Sequence, residues 1–273
     1  MNGQELLRRV ERDASGAAQA MPDRLDAADG RADAIGRAPP FSAWPRAALL
    51  RLAERASVSR IESGTYLIVA GRRCDEISVI AEGTVLSSIS SPGGRRLTYK
   101  IDDSSFAYGL ASLADGLPLQ IDLVAEGVVT VVRIPHAAVR AELTDAPWLW
   151  EPIAVEIIRR SRQYARQLNQ FVFDAPLVRA ASLLLGLLAK SGKDGQAGPV
   201  TIDFRLSQER LAEMLGTSRQ WATARVRELA RAGLIEWRYG RVTVLDVEAL
   251  RTVAAKGINA MHPFTGQPDR PSP

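Results

Sequence analysis

Residues 206–240 read LSQERLAEMLGTSRQWATARVRELARAGLIEWRYG. Leu211, Ala212 and Leu215 stand at i, i+1 and i+4, so a helix beginning near Ser207 buries one stripe, with Ser207 as its N-cap. Gly216 supplies a sharp turn, and Ser218 caps a second helix whose inner face is Ala222, Val226 and Leu229. Arg219, Gln220, Thr223 and Arg227 fall on its outer face. Arginine and glutamine near a helix N-terminus suit the reading of base edges in a DNA major groove. Gly233 ends the helix, and Leu234 to Leu245 alternates as a small β-hairpin turning at Tyr239 and Gly240. The pattern is a winged helix-turn-helix. It makes Arg219, Gln220 and Thr223 the candidate base readers, and Ser207, Thr217, Ser218, Arg225, Arg227 and Arg241 the candidate contacts to the DNA backbone.

Charge is concentrated in the same place. The whole 273-residue chain carries a formal net charge of +4. Arg205 to Arg241 alone holds eight arginines against Glu209, Glu213, Glu228 and Glu236, a surplus equal to that of the full chain. A localised basic surface fits phosphate binding better than uniform basicity does.

The rest of the chain is long enough for a second domain, and 46% hydrophobic residues suffice to build two cores. Residues 1–40 balance six arginines against seven acidic residues and have few large apolar side chains, so a disordered extension is expected there. Phe41 to Ala56 has helical spacing. From Val58 to Pro135, short β-branched or alternating runs (Thr65–Ala70, Glu76–Ala81, Thr84–Ile89, Arg96–Ile101 and Val128–Ile134) are punctuated by glycine, which predicts an all-β domain within residues 41–146.

Residues 147–173 predict a long helix. Trp150, Ile153, Ile157, Ser161, Tyr164, Leu168 and Phe171 step by 3, 4, 4, 3, 4 and 3, the coiled-coil period, and make Ile153, Ile157, Tyr164 and Leu168 a candidate dimer seam. The alternative for this helix is packing on its own β-domain. Its arginines Arg159, Arg160, Arg162 and Arg166 are read as flanking a narrow apolar stripe. Asp174 to Lys190 predicts a further helix opening the DNA-binding domain, residues 174–255, and a frayed tail follows over 256–273.

The lone Cys74 excludes an intramolecular disulfide and a cysteine-rich metal or iron–sulfur site. No apolar run reaches the roughly 20 residues of a membrane span, and the N-terminus lacks the apolar core of a signal peptide, so a cytoplasmic protein is expected. With His136 and His262 the only histidines, and neither a G-x-S-x-G nor a phosphate-loop motif, no enzyme chemistry and no cofactor are expected.

The segments LSQERLAEMLGTSRQ, ELARAGLIE and GRVTVLD resemble the DNA-binding domain of the cyclic AMP receptor protein and FNR family of bacterial regulators. Ala81-Glu82-Gly83 before Thr84-Val85, and Tyr108-Gly109, extend the resemblance loosely into the β-domain. It implies an α+β architecture with an N-terminal β-roll of the jelly-roll, cyclic-nucleotide-binding type. It also implies homodimerisation through the long helix, a palindromic site on double-stranded DNA, and RNA polymerase as a further possible partner.

The departures from the family are informative. The family's ribose-binding Glu and phosphate-binding Arg fall on Leu110 and Leu119, so cyclic AMP is not expected as effector, and the effector stays unknown. Arg95 and Arg96 at a hairpin tip, and His136, are expected in solvent. In the recognition helix Gln220 stands for the family's Glu, which shifts the preference towards an adenine edge, and Ala224 replaces its second Arg. A small-molecule-binding or protein-docking module without a DNA role is the alternative reading.

Overall fold

The structure is a computed structural model, and it describes residues 25–91, 95–190, 198–202 and 204–257. The chain divides into two compact units, one built on the chain up to Ser87 together with Ile101–Arg160, the other on Ser88–Lys100 and the chain from Ser161 onward.

The first unit opens with α1 (Ala28–Arg37), a 3-10 turn at Phe41–Ala43 and α2 (Arg46–Arg55). This corrects the expected disorder for residues 25–40; residues 1–24 lie outside the described residues. Alanine supplies what large side chains do not. Ala32, Ala34 and Ala38 bury completely or nearly so beside Ile35, and these small residues let α1 lie close against α2. Ile35 and Leu25 contribute roughly 1.5–3 kcal/mol each by burial. Arg31 then ties the corner, donating from Nε to Ala53 O at 2.8 Å and from Nη1 to Leu25 O and Asp26 O at 3.0 and 2.6 Å.

The β-roll follows as β1 (Ser57–Ile61), β2 (Tyr66–Ile68), β3 (Glu76–Ser90), β4 (Arg96–Asp102), β5 (Phe106–Tyr108), α3 (Leu110–Asp115), β6 (Asp122–Pro135) and α4 (His136–Asp145). Its sheet runs β1-β6-β3-β4, with β2 also on β6 and β5 on β3. The antiparallel register between β1 and β6 pairs Ser57 with Arg133 and Ile61 with Val129. The two runs separated by Gly83 form one strand. Gly83 carries the chain through left-handed backbone (φ +88°) where a Cβ would come within 2.5 Å of Val128 O, so only glycine continues β3 beside β6.

Two expectations of solvent exposure are corrected in this part of the chain. Arg96 is half-buried, its Nε donating to Ser88 Oγ at 2.8 Å. His136 is buried, and its main-chain N–H donates to Asp75 O at 2.8 Å, because it begins α4 where that helix closes on the sheet. Along α5, the half-buried Arg160 turns inward on the buried Glu156 at 2.6 Å, and the exposed Arg159 meets the same carboxylate at 2.7 Å. Burial pushes the Glu156 carboxyl up, but the hydrogen bonds and charges of the two arginines outweigh it and hold the group below the ordinary carboxylate range.

The long helix α5 (Trp150–Phe173), preceded by a 3-10 turn at Pro147–Leu149, leads to α6 (Pro176–Lys190). Beyond it come β7 (Val200–Thr201), α7 (Gln208–Leu215), α8 (Arg219–Arg231), β8 (Ile235–Arg238), β9 (Arg241–Val244) and α9 (Val247–Ala254). The wing is a three-stranded sheet, β7-β9-β8, rather than the hairpin alone, since Val200 pairs with Val244 and the Thr201 and Thr243 hydroxyls meet at 2.9 Å.

His136 gives this fold a defined pH response. Burial first, then the charge of Arg140, lower its pKa from the ordinary 6.5, so the unfolded chain takes a proton that the folded one resists. The stability held above that value is lost as pH falls towards the lowered folded one. Urea unfolding at about pH 7.5 and about pH 5.5 is expected to show this acid-side loss, and His136→Gln to reduce it; an equal loss in both proteins would contradict the assignment.

Candidate nucleic-acid interface

Local chemistry fixes the two helices of the motif. Ser207 Oγ accepts from Arg210 N at 3.1 Å and Ser218 Oγ from Trp221 N at 3.3 Å, each satisfying one orphan N–H of its helix. Between them Gly216 turns the chain in left-handed backbone, φ +63°, its N–H donating back to Glu213 O. Inside, Leu211, Leu215, Ala222, Val226 and Leu229 are at most 2% exposed, the inner faces that the spacing predicts.

The corner brings three segments together at one edge of the domain. Leu206 N donates to Gly240 O at 2.8 Å, which holds the wing tip beside the start of α7. Across that start, Arg219 at the first position of α8 donates from Nε to Gln208 Oε1 at 2.7 Å and pairs through Nη1 with Glu209 Oε1 at 2.9 Å. Ser207 to Glu209 therefore sits between the recognition helix and the wing. Arg205, Arg219, Gln220, Arg227 and Arg241 are exposed.

The outer face differs from the predicted one at a central position. Thr223, expected to read bases, is only 7% exposed, because a 13-residue helix capped at Ser218 turns that position towards the domain interior. The exposed row is Gln220, Ala224, Arg227 and Arg231, at steps of 4, 3 and 4. Arg225 is engaged within the domain, paired with Glu228 at 2.8 Å and lying 5.9 Å from the Trp221 ring centroid. Arg179 of α6 approaches the same ring at 5.6 Å, so Trp221 anchors α8 to α6 between two guanidinium groups. Thr217 is half-buried and spends its N–H on Ala212 O at 3.0 Å.

Sequence reasoning missed Gln208 and Tyr239. Nothing in the spacing links Gln208 to Arg219, eleven residues on. Tyr239 was visible only as a turn residue. It is 93% exposed, in left-handed backbone at φ +52°, between Arg238 and Arg241.

The candidate seam on α5 is also revised. Ile153 is completely buried in the core of the first unit and Ile157 packs against that core. Tyr164, edge-to-face with Tyr99 at 5.7 Å, and Leu168 remain exposed. Periodicity identified a helix with an apolar seam but not which phase its own domain claims. One open apolar row is Val155, Ile158, Ala165, Leu168 and Val172, with spacings of 3, 7, 3 and 4 that keep the 3.5 period, and Ala154 and Phe173 are exposed beside it.

Within the β-roll, Ile68, Ile80, Val85, Tyr108, Leu123, Ala125, Val129 and Val131 form an apolar cluster against which Leu119 and Phe106 pack. Leu110 is 2% exposed in the neighbouring core. The Tyr108 hydroxyl is satisfied internally by Asp102 Oδ2 and Ser87 Oγ.

A β-roll, a long helix and a capped helix-turn-helix with a basic wing define a DNA-binding regulator of receptor type. Residues 178–253 match the Crp-like helix-turn-helix domain. A CRP-like cAMP-activated global transcriptional regulator of Mycobacterium tuberculosis is 24% identical over 216 residues, 79% of this chain and 96% of the relative. The global nitrogen regulator of Synechococcus elongatus is 24% identical over 195 residues, 71% and 87% of the two chains. Among solved structures, the c-di-GMP responsive regulator CLP of Xanthomonas campestris superposes with a TM-score of 0.65 at 18% identity, covering 74% of this chain and 99% of that one. FixK2 of Bradyrhizobium japonicum gives 0.62 at 14% identity, over 72% and 96%. Residues 178–253 thus form a Crp-like helix-turn-helix domain, and over most of its length the chain is similar to transcriptional regulators of the Crp/Fnr type. Among the described residues no helix is long and apolar enough to cross a membrane.

The wing tip carries a measurable cost. Tyr239 and Gly240 both have positive φ, the two-residue turn that favours Asn-Gly, and a tyrosine there forfeits about 1 kcal/mol. Tyr239→Asn is expected to raise the melting temperature of the winged domain by a few degrees; an unchanged or lower one would show that the tyrosine is held by contacts that repay the strain.

Proposed function

We propose that this regulator is a homodimer that reads a palindromic promoter site, each protomer placing the N-terminal end of α8 in a major groove. The observation that carries the reading is the meeting of Arg219, the start of α7 and the wing tip at one edge of the domain. Arg219 is the guanine reader and Gln220 the adenine reader. Exposed Ala224 leaves room for a thymine methyl where a second arginine would select another base. Ser207, Thr217, Ser218, Arg227 and Arg241 serve the sugar-phosphate backbone, and Arg225 reaches a phosphate only by leaving Glu228.

Two copies meet along the exposed α5 stripe. Val155, Ile158, Leu168 and Val172 are between 50% and 62% exposed, a row that a soluble chain covers by pairing. Dimerisation sets two recognition helices one helical turn apart, about 34–36 Å, and so selects an inverted repeat. The protein acts in the cytoplasm, and RNA polymerase is a partner if it activates.

The effector differs from that of the cAMP-activated relative. A cyclic phosphate buried in the β-roll needs a guanidinium partner, and the positions that the resemblance assigns to its contacts are Leu110 and Leu119, both among apolar side chains.

Gel-shift titration on a duplex enriched from a randomised pool tests the reading. Arg219→Ala is expected to lose about 1–3 kcal/mol of binding, and wild-type affinity to fall steeply with salt as counterions are released. Equal binding by both proteins would overturn the assignment of the recognition helix.

A further inference from the structure

We infer that Gln208 is a positioning residue for base selection, and that Glu209 is a competitor which the DNA must displace. The inference rests on the proposed reading of Arg219 as a guanine contact. The two side chains are neighbours on α7, yet they act on the guanidinium in opposite senses.

An exposed arginine has many rotamers, and only a few aim its planar fork at a guanine edge. Arg219 is 57% exposed but not loose: its Nε donates to Gln208 Oε1 of α7 at 2.7 Å. Both ends of that bond are anchored. Gln208 is the first residue of α7, fixed by the Ser207 cap, and Arg219 is the first residue of α8, fixed by the Ser218 cap. The glutamine therefore consumes the inner N–H of the fork and leaves the end-on Nη1 and Nη2 edge, which is the pair of donors that guanine O6 and N7 accept. Because the amide is neutral, it orients the fork without opposing a phosphate backbone.

Glu209 does the reverse. Its carboxylate holds Nη1 at 2.9 Å, on the edge that a base would take, and it is 64% exposed at the surface that faces the anionic duplex. Binding of guanine exchanges this ion pair for a base contact, and the released carboxylate stands close to phosphate. The pair thus sets a threshold: a correct guanine repays the loss of Glu209, whereas a wrong base does not.

The test compares affinity for the enriched duplex with that for the same duplex carrying adenine in place of the contacted guanine. The ratio of the two affinities is the readout, since a bidentate contact supplies such discrimination and general DNA attraction does not. Gln208→Ala is expected to lower the ratio about tenfold, within the range of one bidentate pair, at an unchanged melting temperature. Gln208→Glu keeps an acceptor at the same place and is expected to retain the ratio while binding both duplexes more weakly. Glu209→Gln is expected to bind both more tightly and to discriminate less. A wild-type ratio in Gln208→Ala overturns the inference, as does a lost ratio accompanied by a lowered melting temperature, which would mark a structural role. Absence of any discrimination by the wild-type protein would instead refute the guanine reading on which the inference stands.

Discussion

The left-handed turn at Gly216, closed on either side by the Ser207 and Ser218 caps, is the constraint on which the DNA-facing surface depends. A Cβ at Gly216 would lie 3.2 Å from Leu97 Cδ1 and 3.5 Å from Phe171 Cε1, in a backbone conformation that other residues rarely adopt. The turn is thus fixed chiefly by its left-handed conformation, φ +63°. From it follow the crossing of α7 and α8, the burial of Ala222 and Val226, and the 2.7 Å reach from Arg219 to Gln208. The wing is tied to the same corner through the Leu206–Gly240 hydrogen bond, so a shift of the turn moves all three DNA-facing segments together.

Legibility in the sequence followed the range of the interaction. The caps, the Gly216 turn, the inner face of α8 and the Tyr239-Gly240 hairpin are consequences of residues within a few positions of one another, and all are found where the spacing puts them. Features set by distant partners were not legible. Ile153 has the same helical phase whether its own core or a second chain covers it, and only the packing of α1, α2 and the sheet assigns it to the core. Residues 25–40 were hidden for a related reason: alanines carry little hydrophobic signal alone, yet Ala32, Ala34 and Ala38 make the close contact that larger side chains would prevent. Thr223 lay one position from the exposed row, a displacement smaller than periodicity resolves.

Charge operates at two depths in this protein. Glu156 and its arginines, and the half-exposed Arg51 on buried Glu142 at 2.6 Å, are pairs with a carboxylate withdrawn from water; breaking one strands a buried charge. The ion pairs of the winged domain are shallow by comparison. Arg219 with Glu209, Arg225 with Glu228 and Arg238 with Glu236 all have substantially exposed side chains. Such pairs are weak in water and readily exchanged, as the proposed release of Arg219 on DNA requires. The pairs with a buried carboxylate lie within α5 and between α2 and α4, whereas those of the winged domain lie at its surface.

The central claim is that two copies of the chain each read a guanine through Arg219 across a symmetric site. Methylation interference on the enriched duplex tests it most directly, because dimethyl sulfate blocks guanine N7, one of the two acceptors of the arginine fork. The account predicts two strongly interfering guanines in inverted half-sites about one helical turn apart, at roughly 10 base pairs, and their loss from the pattern in Arg219→Ala. Binding that is indifferent to guanine methylation, or interference confined to a single unrepeated position, would contradict it.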